Sequence, residues 1–233
     1  MKRLGLILAA LALMAAGCSS AEPDGAEVNI VVTTTPLGDM VRNVVGDAAT
    51  VDVLMPVGAS PHAFQPSAKQ VALIQRADLV VANGLGLEEG LTDVLEAAEA
   101  DGVNVWEVGP DIGPRDFVEA SGVDEHDEDG HDGGRLDPHF WLDPIKVAEA
   151  TRLLASQLSE LAPETDWSKT AEAYVEELDA VHSESTEMLS SIPVDARKLV
   201  TNHRSFGYFS DRYGFEMIGT VIPGGSELAN PSS

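Results

Sequence analysis

Three histidines of this chain stand on short loops whose backbone is restrained, and each side chain could bind a metal ion. His62 directly follows a proline, His139 lies between two Asp-Pro pairs, and His203 follows a short apolar run. A residue that precedes proline is kept out of the helical region, and proline fixes its own φ, so the loops of His62 and His139 lose little freedom on binding, whereas a strand-helix junction restrains His203. Neutral imidazole is a common ligand of zinc and other divalent ions. A lone buried histidine is ordinarily a hydrogen-bonded core residue, so the hypothesis of a metal site depends on all three together.

The first half of the chain predicts a sheet that would place His62 at a ligand-binding edge. From residue 28 to residue 108, β-branched runs alternate with amphipathic stretches in the order β-α-β-α-β-α-β. This alternation predicts parallel strands joined by right-handed crossovers, with helices on both faces. Ligands of such sheets bind at the carboxyl ends of strands, and the loop with His62 follows the second strand. The predicted strands are Val28–Thr33, Val51–Met55, Leu79–Ala82 and Val103–Val108, and the predicted helices are Thr35–Val45, one that begins with a Ser67/Gln70 capping box, and Glu88–Ala100.

Long helices and a second β-α-β unit are predicted after His139. Asp143-Pro144 begins a helix with an apolar stripe that ends before Pro163. The next helix, Asp166–Ser190, is long enough to span a domain at about 1.5 Å per residue. Its predicted buried residues are Ala171, Tyr174, Leu178, Val181, Met188 and Leu189. The elements predicted after this helix are a strand at Lys198–Thr201, a helix from His203 to Tyr213 that Gly214 caps, and a strand at Glu216–Ile222.

The first residues have the layout of a secretion signal. Two basic residues precede an apolar run from Leu4 to Ala16, which is shorter than the roughly 20 residues of a membrane span. The chain has one cysteine, Cys18, so no disulfide can form within a monomer. Met14-Ala-Ala-Gly-Cys18 resembles a bacterial lipoprotein processing box, which implies lipidation of Cys18. An ordinary cleaved signal with an incidental cysteine is the alternative.

The chain is strongly acidic, with a formal net charge of −25. This charge excludes nucleic acid as a partner, because phosphates would be repelled, whereas divalent cations are attracted. The segment Asp124–Asp132 combines acidic residues with His126 and His131 and cannot bury a core. These two histidines could capture metal loosely, or the segment could be a solvated acidic loop.

The sequence around each loop histidine resembles one family. Ser60-Pro-His62-Ala-Phe-Gln-Pro66, Asp137-Pro-His139-Phe-Trp-Leu-Asp-Pro144 and Thr201-Asn-His203-Arg-Ser-Phe-Gly-Tyr-Phe209 with Arg212-Tyr-Gly214 are similar to signatures of the metal-binding lipoproteins of ABC transporters. These are zinc and manganese solute-binding proteins. The resemblance implies two α/β lobes with parallel sheets flanked by helices, joined by one long rigid helix, with metal in the cleft between the lobes.

That resemblance also implies a site, partners and a location. His62, His139 and His203 would be three of four metal ligands. In this family, a histidine at the third ligand position, here His203, and a His-containing acidic loop both favour Zn²⁺. Mn²⁺ is the alternative. The partner would be the membrane permease of an ABC transporter, and the protein would be an extracytoplasmic monomer, lipid-anchored to the membrane through Cys18.

The expected domain organisation follows from these patterns. We expect a lipoprotein signal peptide at 1–17, a tether at 18–27, an N-terminal α/β lobe at 28–145, a helical segment with the interlobe helix at 146–192 and a partial C-terminal α/β lobe at 193–233. The fourth ligand, a carboxylate in the family, would lie beyond Ser233, so we expect the second lobe to be incomplete.

Two other functions remain open at this point. Three protein ligands plus water is also the layout of a catalytic zinc, so a zinc-dependent hydrolase is an alternative. No His-Glu-x-x-His helix motif is present to support it. A surface adhesin with a structural metal is the other alternative.

Overall fold

The computed structural model describes residues 28–117 and 136–221. Its main sheet has four parallel strands, as the alternating pattern predicted, and their order in the sheet is β2-β1-β3-β4. The strands are β1 (Val28–Val32), β2 (Ala49–Val53), β3 (Leu79–Ala82) and β4 (Val105–Glu107), and the connecting helices are α1 (Thr35–Val45), α2 (Ala68–Ile74), α3 (Thr92–Ala100) and α4 (Val108–Asp111).

Both faces of this sheet are covered, which explains why its central strands read as continuous apolar runs. One face packs with α1 and the later long helices in a cluster that includes Val32, Val41 and Leu154. The other face packs with α2 and α3 in a cluster that includes Val31, Ile74 and Leu95. The sheet with these helices is called the first lobe below.

Two long antiparallel helices follow, α5 (Pro144–Leu161) and α6 (Trp167–Ser190). The Asp143 carboxylate accepts a hydrogen bond from the backbone N–H of Ile145, which caps α5. Trp167 and Ala171 of α6 join the apolar cluster of the first lobe. At about 1.5 Å per residue, α6 continues well beyond these contacts.

The predicted burial of α6 is wrong in its second half. Val181 is 49% exposed and Met188 is 72% exposed, whereas Trp167, Ala171 and Val175 are buried. The periodic pattern continues along the whole helix, but the packing against α1 and α5 involves its first half. An apolar stripe shows which side of a helix can be buried, and the neighbouring elements determine how much of it is buried.

A second, smaller parallel sheet contains β5 (Lys198–Thr201) and β6 (Glu216–Thr220), connected by α7 (Gly207–Tyr213). Gly214 ends α7 with a φ of 70°, the left-handed conformation that favours glycine. These elements are called the second lobe. The chain therefore has the predicted class of two α/β units with parallel sheets, linked by the long helix α6.

Several predicted boundaries shift in the structure. The strand predicted at Val51–Met55 is β2, which begins two residues earlier, and the strand predicted at Val103–Val108 shortens to β4 because α4 begins at Val108. The helix predicted from Glu88 begins as a 3₁₀ turn at Glu89–Leu91, and the helix predicted from His203 begins at Gly207. Within the described ranges, no helix is long and apolar enough to cross a membrane.

Candidate metal centre

The structure brings His62, His139 and His203 together, although they are far apart in sequence. One potential ligand atom from each lies within 4.8 Å of those from the other two. The ring centroids are 5.7 Å apart for His62 and His139, 5.8 Å for His62 and His203, and 5.2 Å for His139 and His203. The three residues are 4%, 1% and 7% exposed, respectively. They line a cavity of about 250 Å³ together with Trp141 and Phe206.

Each histidine is placed by a short irregular segment rather than by a long element. His62 lies in the 3₁₀ turn Pro61–Ala63, after β2. His139 precedes the 3₁₀ turn Phe140–Leu142. His203 follows β5, and its carbonyl oxygen accepts hydrogen bonds from the Thr201 hydroxyl and the Ser205 N–H at 2.7 and 2.8 Å. The first lobe thus supplies two imidazoles and the second lobe supplies one.

The distance between two of the imidazole nitrogens matches the separation expected for two ligands of one metal ion. The Nε2 atoms of His139 and His203 are 3.3 Å apart. Two nitrogens that bind one tetrahedral zinc ion at about 2.0–2.1 Å are separated by roughly 3.3 Å. Among the residues that the structure describes, the candidate ligands in this cluster are three imidazoles, and no cysteine or carboxylate belongs to the group. The donor set and spacing therefore suit a borderline divalent cation such as Zn²⁺.

Asp137 determines which nitrogen of His139 faces the cavity. Its Oδ1 atom lies 2.8 Å from His139 Nδ1 and also accepts the backbone N–H of His139 at 3.0 Å. A carboxylate accepts and cannot donate, so Nδ1 carries the proton and Nε2 keeps its lone pair. This is the carboxylate–histidine arrangement that orients ligands at metal sites and increases their basicity.

Replacing Asp137 with asparagine should lower Zn²⁺ affinity by about tenfold, because a neutral amide is a weaker partner for the imidazole N–H. Isothermal titration calorimetry would measure the change. Asp78→Asn is a matched control, since the Asp78 carboxylate accepts from the backbone of Asn29 instead of from an imidazole. Equal losses in the two variants would contradict the assigned role of Asp137.

The loop that carries His139 is also held at both ends by α7 of the second lobe. At one end, the Tyr208 hydroxyl donates to the carbonyl oxygen of Asp137 at 3.1 Å. Burial raises the pKa of Tyr208, so the hydroxyl stays protonated and able to donate. At the other end, Arg212 forms a bidentate ion pair with the buried Asp143, with its shortest contact at 2.7 Å. The hydrogen bonds to Asp143 raise the pKa of Arg212 further.

The close approach of α7 requires glycine at its first residue. A Cβ atom on Gly207 would overlap the guanidinium of Arg115 and the carboxylate of Asp137. Arg115 in turn lies 3.6 Å from Asp137 Oδ2 and 2.9 Å from Asp211 of α7. The two lobes therefore meet directly behind His139.

Arg212→Gln should lower the free energy of unfolding by about 1–2 kcal/mol, because Asp143 would remain buried without its cation. Zn²⁺ affinity should fall with it, since the loop of His139 loses one of its attachments. Arg152→Gln is the control: Arg152 pairs with Glu172 in a similar bidentate geometry, but the two side chains are 51% and 56% exposed. Arg152→Gln should change the free energy of unfolding, measured by chemical denaturation, by less than about 0.5 kcal/mol. Similar losses in both variants would argue against an interlobe role for Arg212.

The sequence motifs predicted the three histidines but indicated no role for the residues that support them. Asp137 and Arg212 stand inside the motifs quoted above, and the Asp-x-His spacing was a usable signal for Asp137. Tyr208 and Arg115 had no local signal, because their contacts join distant segments. His126, His131 and Cys18 lie outside the described residues.

Comparison with known proteins identifies a family of metal-binding proteins that this chain resembles. The family model for the periplasmic component A of the zinc-uptake complex, ZnuA, matches residues 30–233. The manganese-binding lipoprotein MntA of Halalkalibacterium halodurans is 30% identical over 219 residues, covering 91% of this chain and 68% of that protein. The zinc-binding lipoprotein AdcA of Streptococcus pneumoniae is 32% identical over 237 residues, which cover 100% of this chain and 46% of AdcA.

Solved structures show the same fold. The periplasmic zinc-binding protein TroA from Treponema pallidum superposes with a TM-score of 0.77 at 27% identity, over 89% of this chain and 71% of TroA. The Zn(II)-bound AdcA of Streptococcus pneumoniae superposes with a TM-score of 0.69 at 30% identity, over 89% of this chain and 42% of AdcA. This chain thus spans less than half of AdcA and about two thirds of MntA. The resemblance to metal-binding lipoproteins is confirmed.

Proposed function

This chain belongs to the ZnuA family of periplasmic zinc-uptake components, and we propose that it captures Zn²⁺ outside the cytoplasm and delivers it to an ABC permease. It performs no chemical reaction on its cargo. His62, His139 and His203 bind the ion, and the described part of the chain places no fourth ligand in this cluster, so the remaining position takes a further ligand or water.

The convergence of three buried imidazoles from three separate segments carries this proposal. A neutral imidazole cluster suits zinc, whereas manganese prefers carboxylate and carbonyl oxygen. Relatives are named for both metals, including MntA for manganese and AdcA for zinc. The nitrogen donors of the described residues favour Zn²⁺ over Mn²⁺ for this chain.

Metal analysis of the protein purified without chelators, followed by titration with Zn²⁺ and Mn²⁺ in competition, tests the proposal. We expect one tightly bound zinc ion that an equal concentration of Mn²⁺ does not displace. Preferential retention of Mn²⁺ would reassign the cargo, and a protein that retains neither ion would contradict the binding function.

Membrane attachment and transport complete the proposed role. Several relatives are named as lipoproteins, and one is named as a metal ABC transporter substrate-binding lipoprotein. We propose that lipidation of Cys18 holds a monomer beside its permease, with residues 18–27 as the tether between the lipid and a lobe that begins near residue 28. Cys18→Ser should move the protein from the membrane fraction to the soluble fraction and leave zinc affinity unchanged.

The acidic segment with His126 and His131 has a secondary role in this proposal. It collects zinc weakly and raises the local ion concentration, because its composition combines many carboxylates with two imidazoles. Deletion of residues 124–132 should change zinc affinity of the main site by less than about twofold. Stopped-flow measurements should show that the deletion variant captures zinc more slowly. A large loss of equilibrium affinity would instead identify one of these histidines as a main-site ligand.

A further inference from the structure

A buried carboxylate, Glu88, occupies the carboxyl edge of the main sheet. Glu88 is 5% exposed and lies between the ends of the central strands β1 and β3. The connections leave these two strands toward opposite sides of the sheet, and such a point is where α/β sheets usually bind a ligand. In this chain the position is taken by a side chain of the protein itself, at the desolvation cost of burying a carboxyl group.

Three donors compensate that cost. Glu88 Oε1 accepts from the Thr33 hydroxyl at 2.6 Å and from the Asn83 backbone N–H at 2.7 Å. Its Oε2 accepts from the Gly84 N–H at 3.1 Å. Burial raises the pKa of Glu88, while these hydrogen bonds act in the opposite direction. All three donors face the carboxylate, so Glu88 connects the end of β1 to the loop after β3.

The loop that Glu88 holds has a strained backbone. Gly84, Leu85 and Gly86 have φ values of 75°, 57° and 73°. Leu85 is the only residue other than glycine with positive φ in the described ranges, and this conformation costs about 1–2 kcal/mol. Gly109 packs so closely against this turn that an added Cβ would lie 2.7 Å from the Leu85 side chain. Strain of this kind persists where the surroundings enforce it, often beside functional sites.

Asn83, directly before the strained loop, contacts the segment that carries His139. Asn83 is fully buried, and its side-chain amide donates to the carbonyl oxygen of Pro138 at 3.0 Å. Pro138 directly precedes His139. A continuous chain of contacts therefore runs from Thr33 and Glu88 through Asn83 to the backbone that carries this imidazole.

We propose that Glu88 and Asn83 are positioning residues of the metal site, which hold His139 at its ligating position through the Pro138 carbonyl. This inference rests on the proposed zinc-binding function and adds residues that do not touch the ion. Asp137 orients the imidazole ring, whereas Asn83 fixes the backbone on which the ring is carried. Together they leave His139 with little freedom before the metal arrives.

Zinc affinity and the absorption spectrum of the Co²⁺-loaded protein test this role, since the cobalt spectrum reports ligand geometry. Asn83→Ala should lower zinc affinity by about tenfold and alter the cobalt spectrum. Glu88→Gln should act in the same direction, because its amide nitrogen cannot accept from the Gly84 N–H. If Glu88 acts through Asn83, the double variant should lose no more affinity than Asn83→Ala alone.

Asn29→Ala is the matched control. Asn29 lies near the start of β1, at the amino ends of the strands and therefore far from the metal centre. Its side chain accepts a hydrogen bond from the Thr50 hydroxyl. This variant should keep the wild-type affinity and cobalt spectrum. If Asn83→Ala does not fold, Thr33→Val replaces it as the test, because it removes one donor to Glu88 at nearly constant shape and should weaken binding about threefold.

The possible failures are distinguishable. Suppose that the unaltered protein binds zinc and that the folded variants keep its affinity and cobalt spectrum. This result would overturn the positioning role and leave the proposed function intact. Additive losses in the double variant would separate Glu88 from Asn83 and overturn the relay. A wild-type protein that binds no zinc would overturn both proposals.

Discussion

His139→Ala should lower Zn²⁺ affinity by more than about 100-fold, since loss of an outer partner alone typically costs about 10- to 100-fold. His139 has its Nε2 atom 3.3 Å from that of His203. Its removal leaves two imidazoles and an apolar gap beside Trp141, whose ring centroid is 5.3 Å away. Competition with a chromophoric chelator would measure the affinity.

The fold should survive this substitution. The core of the first lobe consists of apolar side chains from strands and helices, and His139 is carried by a loop. Circular dichroism of the metal-free variant should match that of the wild type. His182→Ala is the control, because His182 lies on α6 against Tyr213, outside the cluster. Unchanged zinc affinity in His139→Ala would refute the assignment of the site.

Acidification should abolish binding. Each imidazole must be neutral to bind an ion, and an ordinary imidazole takes up its proton near about pH 6.5. Zinc and protons compete for the same nitrogens, so affinity is retained above this range and lost as the pH falls through it. Between about pH 7.5 and pH 4.5 we expect a fall of at least about a thousandfold, since protons compete with the ion for all three nitrogen donors.

The same experiment has a thermal readout. A ligand that binds the folded state alone raises the melting temperature, and the gain disappears when binding does. Zinc should therefore raise the melting temperature at neutral pH and leave it unchanged near pH 4.5. Protein without zinc, scanned at both pH values, separates this effect from acid denaturation. Full zinc stabilisation at the lower pH would indicate carboxylate ligands instead of imidazoles.

Local patterns were sufficient to identify most elements of the fold. The β-branched runs of the first half, the Ser67/Gln70 capping box and Gly214 after α7 all have the predicted roles in the structure. These features depend on residues close in sequence, where propensity and capping chemistry act directly. The bounds of β2 and β4 moved by a few residues, because the pairing partner decides where a strand begins and ends.

The sequence alone also identified the three candidate ligands. His62, His139 and His203 stand in distinctive motifs, and the predicted topology already placed His62 beyond the end of a strand. What it could not provide was the distance between them. Residues that are 64 positions apart, such as His139 and His203, meet only after both lobes have packed.

Tertiary packing alone decided how the site is supported. Glu88 reads in sequence as an ordinary first-turn acid of a helix, yet it is buried and holds the loop of Asn83. Val181 and Met188 read as buried helix positions, yet they are exposed because the apolar packing of α6 against the first lobe lies along its first half. Local sequence determines which side chains can be buried or can bind a metal, since it sets polarity, backbone freedom and periodicity. Only the packed structure determines which do, because burial and ligand geometry depend on elements brought together from distant parts of the chain.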